Sequence, residues 1–125
     1  MQAGRAFARE LLEKRQPTLA ICLGHQLMCA ELGLELHRRP SPNQGAQIPV
    51  GLFGRTEALG YYNSYAVLAP RAKGEWELAH DGPELAALRG PHYTGLQFHP
   101  ESVLTRDGLA ILRRELVRLL PNADA

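Results

Sequence analysis

Long apolar runs are missing. No stretch approaches the roughly 20 residues that a membrane-spanning helix requires, so a membrane role is not expected. Aromatic residues are sparse, 6% of the 125, and no basic cluster is interleaved with them. With 14 Lys and Arg against 13 Asp and Glu, the net charge is +1, and a nucleic-acid partner is not expected either. There are only two cysteines, Cys22 and Cys29. With no secretory signal, the pair fits free thiols in a reducing cytoplasm better than a disulfide. Arg5, Arg9, Lys14 and Arg15 are interrupted by Glu10 and Glu13 without any serine, which argues against a transit peptide. His37, His80 and His92 are scattered with no metal-ligand spacing, so no metal is expected. There is no internal repeat and no low-complexity linker. The length fits one domain with a real core.

What is present is organised around Thr18-Leu-Ala-Ile-Cys-Leu-Gly-His-Gln26. An aliphatic, β-branched run ends at Cys22, with Ala20 and Gly24 two positions to either side. From Gln26 to Leu32 the pattern is helical, closed by Gly33. Strand, small–x–nucleophile–x–small, helix is the pattern of a nucleophile elbow, here with cysteine. So abrupt a turn strains the central residue, and small neighbours permit it. The sulfur is thereby presented over a helix N-terminus, where positive partial charge favours thiolate and the Leu23 amide faces any oxyanion. Cys29, among Leu27, Met28 and Leu32, reads as core, and His25 as a locally packed side chain.

Gln2 to Lys14 carries Ala6, Phe7, Leu11 and Leu12 at helical spacing and predicts an amphipathic helix, ended by Arg15-Gln-Pro17. Leu34–His37 predicts a short strand, and Pro40–Gly45 a turn-rich loop. The Asn43–Gln47 stretch reads either as a plain turn or as part of a partner-facing rim. Apolar patches at Ile48–Phe53 and Tyr61–Leu68 follow, punctuated by Gly54 and Gly60. Trp76–Ala79 alternates as a half-buried strand should, Asp81-Gly82 supplies a turn, and Thr94–Phe98 is the next strand. Glu75, Glu77 and Glu84 read as solvated. From about Thr105 a helix is expected with Leu109, Leu112, Leu116 and Leu119 on one face, ended by Pro121. The fold class expected is α/β: a partial doubly wound, flavodoxin-like parallel sheet with helices on both faces and an inserted antiparallel ribbon.

A cysteine nucleophile needs a base, and the base an orienting group. His99 and Glu101 follow a strand directly, two positions apart and so on one face, with Pro100 stiffening the step. Glu101 is suited to accept the far N–H of the imidazole and to stabilise imidazolium. Sites in doubly wound sheets form at the carboxyl ends of strands, where both Cys22 and His99 fall. Alone, His99-Pro-Glu101 also reads as an ordinary solvated turn.

Pro17-Thr-Leu-Ala-Ile-Cys-Leu-Gly-His-Gln26 together with Gly95-Leu-Gln-Phe-His-Pro-Glu-Ser102 resembles the signature pair of the class I, triad-type glutamine amidotransferases. Among them it is most similar to the glutaminase component of anthranilate and aminodeoxychorismate synthases, over nearly the whole chain. The resemblance implies Cys22 as nucleophile, His99 as base, Glu101 as its carboxylate and Gln26 as a contact to substrate glutamine. Tyr62-Asn63-Ser64-Tyr65 lies where the family has Arg-Tyr-His-Ser-Leu, which places Ser64 and Tyr65 on the substrate-binding positions, with Asn63 departing from the family's histidine. Asn43-Gln44-Gly45, Leu52-Phe53-Gly54 and Tyr61–Ala66 are similar to the amidotransferase part of the phenazine-pathway enzyme that makes 2-amino-2-desoxyisochorismate from chorismate. The implied partners are glutamine and a chorismate-binding synthase subunit or domain that receives ammonia; no cofactor is implied.

The family's first strands and its Gly-Pro-Gly loop, source of a second oxyanion donor, are expected before Met1, since no Gly-Pro-Gly occurs in these 125 residues. Two other functions stand beside glutaminase activity: a non-catalytic docking module, and a γ-glutamyl hydrolase on the same scaffold.

Overall fold

A computed structural model describes residues 2–120. In chain order these form α1 (Gln2–Glu13), β1 (Thr18–Ile21), α2 (Leu23–Glu31), β2 (Leu36–Arg38), β3 (Ala46–Leu52), β4 (Arg55–Tyr61), β5 (Tyr65–Val67), β6 (Glu77–Asp81), β7 (Glu84–Arg89), β8 (Tyr93–Leu96) and α3 (Gly108–Leu119). The main sheet has the order β1-β8-β7-β6, and two ribbons, β2-β5 and β3-β4, accompany it. β1 runs parallel to β8, whereas β7 runs antiparallel to both of its neighbours, β8 and β6. The fold is thus α/β, with its parallel pairing confined to the two strands that lead to Cys22 and His99.

Strand alternation divides the core between the two faces of the sheet. On β8, Tyr93 packs with Met28 and Cys29 of α2, and Gly95 lies against His25 and Met28. Its other residues turn to α3: Thr94 Oγ1 donates to Glu115 at 2.9 Å, and Leu96 packs with Ile111. α2 and α3 therefore cover opposite faces. The β3-β4 ribbon joins the α3 side through Val50, Leu52, Leu59 and Tyr61. α1 lies against α2 and is clamped to it by Arg5 and Arg9, which converge on Glu31 at 2.5 and 2.8 Å.

Several sequence expectations are corrected by packing. β7, Glu-Leu-Ala-Ala-Leu-Arg, carries little strand propensity, yet it is a central strand with five of its six residues buried. Burial between two layers overrides local preference there. Glu84 is not solvated but sits beneath Arg39 and His37, the latter at 2.9 Å. On α3 the buried row is Gly108, Ile111, Glu115 and Leu119, while Leu109 is 83% exposed and Leu116 41%. The rotation follows from Glu115, which is drawn inward by Arg89 at 2.5 Å and by Thr94. Phe7 is exposed rather than packed, α2 begins at Leu23, and β2 starts two residues later than expected. Pro121, expected to end α3, lies outside the described residues.

Candidate active site

β1 ends in Ile21, and α2 begins at Leu23, so Cys22 alone makes the turn. Its φ of 52° and ψ of −106° lie in a region that residues with a Cβ rarely occupy. Two backbone bonds hold it there: the Cys22 N–H donates to Leu96 at 2.7 Å, and the Cys22 carbonyl accepts from Gln26 at 3.0 Å. The first ties the elbow directly to β8. The strained cysteine expected from the sequence is therefore present, at the carboxyl end of a strand and the start of a helix.

Gln97 Nε2 donates to the Cys22 Sγ at 3.7 Å, and the Leu23 backbone N–H favours the ionised form of the thiol. Even so, partial burial pushes the Cys22 thiol above its ordinary range, with the Glu101 carboxylate adding to the rise against the lowering by Leu23 and Gln97. The expected helix-end thiolate is thus corrected. Desolvation outweighs the local donors.

β8 ends at Leu96, and the chain turns through Gln97 and Phe98 into His99. His99 Nδ1–H donates to Glu101 Oε2 at 2.7 Å, which leaves Nε2 as the nitrogen free for proton transfer. Main-chain ties fix this turn. His99 N–H donates to the Gly60 carbonyl at 2.9 Å, and the His99 carbonyl accepts from Thr105 Oγ1 at 2.7 Å. Tyr62 meets the imidazole edge-on, with ring centroids 5.5 Å apart, and its hydroxyl lies 3.1 Å from Ser102 Oγ. Gly60 lets the 99–105 turn come this close, because a Cβ there would stand 2.7 Å from Leu104 Cβ.

The other expected binding residues converge on the same region. Gln26, 7% exposed, donates from Nε2 to the Tyr65 carbonyl at 2.9 Å and to Gln97 Oε1 at 3.1 Å. Both of its amide protons are thus engaged, and only its carbonyl remains to meet a ligand. The Ser64 carbonyl accepts from Arg39 N–H at 2.8 Å. Asn63 is buried and knits the turn, donating to the Tyr65 carbonyl at 2.8 Å and accepting from Asn43 Nδ2 at 2.9 Å. The Asn43–Gln47 stretch is accordingly pinned to the 61–63 segment, with Gly45 N–H on the Tyr61 carbonyl at 3.0 Å.

His25 is fully buried, with Nδ1 3.6 Å from Cys29 Sγ, and burial holds its pKa down to about 3. Burial likewise raises the Cys29 thiol to about 12. Both pack beside the elbow without reaching solvent. Sequence reasoning passed over Gln97 and Tyr62 as individual contacts. For Gln97 the available signal was a polar side chain between Leu96 and Phe98, both fully buried. Among the described residues no group of three His, Cys, Asp or Glu side chains is placed to hold a metal ion.

A family model described as "Glutamine amidotransferase class-I" matches residues 2–119. The chain belongs to that family. It is 42% identical over 112 residues to "Anthranilate synthase, phenazine specific" from Pseudomonas chlororaphis, covering 83% of this chain but 18% of that protein. It is 35% identical to "Anthranilate synthase component II" from Haloarcula marismortui, covering 80% of this chain and 60% of that one. The chain therefore spans only part of the relatives it matches. The fold is also that of a solved glutamine amidotransferase from Thermotoga maritima, with a TM-score of 0.61 at 21% identity, over 92% of this chain and 54% of the other. No described helix is long and apolar enough to cross a membrane.

Proposed function

We propose that this amidotransferase domain, spanning the whole chain, releases ammonia from the side-chain amide of glutamine. One observation carries the reading. The parallel neighbours β1 and β8 deliver a strained cysteine and a histidine–carboxylate pair to the same end of the sheet. His99 Nε2 takes the Cys22 proton as the sulfur attacks the carboxamide carbon, while Glu101 holds the imidazolium through Nδ1–H. The tetrahedral oxyanion receives the Leu23 N–H; the Gly-Pro-Gly loop that would bring a second donor is not within residues 1–125. As the C–N bond breaks, His99 returns the proton to nitrogen, and ammonia leaves from a γ-glutamyl thioester. Water then attacks the thioester with His99 as base, giving glutamate and restoring the thiol.

Gln26 and the Ser64–Tyr65 segment hold substrate glutamine. The partner is a chorismate-aminating synthase subunit or domain in the cytoplasm that consumes the ammonia. The 42% identity to the phenazine-specific anthranilate synthase of P. chlororaphis favours a phenazine precursor as its product. The test is glutamine-dependent ammonia release with the synthase added. Cys22→Ser is expected to abolish it, and full activity in that variant would refute the assignment. Preference for γ-glutamyl peptides over glutamine would select a hydrolase instead. Partner binding with no Cys22 labelling by a glutamine-mimicking electrophile would select a docking module.

A further inference from the structure

We propose that Gln97 is a positioning residue for the nucleophile, holding the Cys22 sulfur by a donated N–H whose direction is imposed from the Tyr65 carbonyl through Gln26. The inference rests on Cys22 being the nucleophile. Its starting point is an acceptor that cannot donate. The Tyr65 carbonyl receives Asn63 Nδ2 at 2.8 Å and Gln26 Nε2 at 2.9 Å. Gln26 must therefore turn its amino group, not its carbonyl, toward this end of the chain. The same amino group reaches Gln97 at 3.1 Å, and there it can meet only the Gln97 carbonyl oxygen. Gln97 is left with its own amino group toward Cys22, 3.7 Å from Sγ. Two ambiguous side-chain amides are thus oriented by one backbone carbonyl, and the sulfur is always met by a donor.

Rotation of Gln97 away from this arrangement is opposed on every side. Gln97 is 1% exposed, its backbone N–H is fixed to the Ala86 carbonyl at 2.9 Å, and Leu96 and Phe98 beside it are fully buried. An N–H aimed at sulfur favours the form that has lost its proton, and so assists transfer to the imidazole. It also restricts the sulfur to one rotamer at the strained elbow. The route begins at the Tyr65 carbonyl, inside the segment proposed to hold substrate, so the binding segment and the nucleophile share one polar chain.

The test is the pH dependence of Cys22 alkylation by iodoacetamide on the full chain, located by mass spectrometry, with buried Cys29 as the internal control. This readout needs no glutamine turnover. Loss of activity in Cys22→Ser decides the proposed function, and the alkylation midpoint decides this inference. Gln97→Met keeps much of the side-chain volume but cannot donate, and loss of one such bond corresponds to about a threefold to tenfold change in the ionisation constant. The midpoint is expected to move up by roughly half to one pH unit with the high-pH plateau rate retained. Gln97→Glu, which places a carboxylate at the sulfur, is expected to move it further. Unchanged midpoints in folded Gln97→Met and Gln97→Glu would overturn the proposal. If neither variant folds, Gln26→Met carries the test, since it frees Gln97 to turn without touching the sulfur. It is expected to shift the midpoint in the same direction by less, and an unshifted midpoint there also overturns the proposal.

Discussion

Adding one methyl group at Gly108, more than 80 residues from Cys22 in sequence, is expected to disable the proposed site more than it destabilises the fold. Gly108 opens α3, and a Cβ built there stands 1.7 Å from the Pro100 carbonyl oxygen and 2.8 Å from its carbon. Real Cβ contacts stay beyond 3.0 Å, so helix and turn must part by at least 1.3 Å. Pro100 lies between His99 and Glu101, and the displacement falls on the pair bonded at 2.7 Å. Two effects on stability oppose one another. Overpacking costs about 1–3 kcal/mol, while replacing Gly by Ala in a helix returns up to about 1 kcal/mol. A net loss of no more than about 3 kcal/mol leaves the protein folded. A displacement of about 1 Å in a reacting group, by contrast, is associated with a loss of order 100-fold in rate. The assay is the rate at which a glutamine-mimicking electrophile labels Cys22, with the melting temperature measured alongside. Gly51→Ala is the control, because a Cβ there meets nothing within 4 Å. Wild-type labelling by Gly108→Ala would refute the claim that α3 sets the position of His99 and Glu101.

Two further expectations concern stability. His25 has its pKa lowered from 6.5 to about 3 by burial, so below pH 6.5 the unfolded chain takes up a proton that the native chain refuses. The stability this contributes is complete above pH 6.5 and is lost as pH falls, by about 2 kcal/mol at pH 5. Urea unfolding at pH 7.5 and pH 5 should show that loss in the wild type and not in His25→Leu; equal slopes would contradict it. Arg89→Ala strands Glu115, which is 2% exposed and is otherwise met by Thr94 and Arg118. The expected destabilisation is about 3–5 kcal/mol, read as a drop in the urea midpoint. Because Arg89 also covers the Phe53 ring at 3.8 Å, Arg89→Lys should recover only part of it.

The elbow at Cys22 was more legible in the sequence than the sheet that carries it. A cysteine between Ala20 and Gly24 after a β-branched run states a local requirement, and the 52° φ at Cys22 is its direct expression. His99 and Glu101 do pair, but not through strand alternation: β8 ends at Leu96, and the 99–102 segment is a turn in which Ser102 N–H donates to the His99 carbonyl at 3.2 Å. β7 was not legible, because what makes Glu84–Arg89 a strand is the burial supplied by β6, β8 and both helix layers. The face of α3 was misread because leucine spacing does not reveal that Glu115 has Arg89 and Thr94 waiting inside. The ionisation of Cys22 was misjudged for a related reason. A helix N-terminus is visible in a sequence, whereas the burial and the Glu101 charge that outweigh it come from distant segments. Gln97 lay within a recognised motif, but its role depends on Tyr65 and Gln26, which only the fold brings to it.

The most direct measurement is intact-mass and peptide analysis of the protein, with the proposed synthase added, quenched in acid after mixing with glutamine. A γ-glutamyl group on Cys22, absent when glutamate replaces glutamine, is the result the account predicts. Turnover with Cys22 unmodified throughout, or the acyl group on another residue, would contradict it.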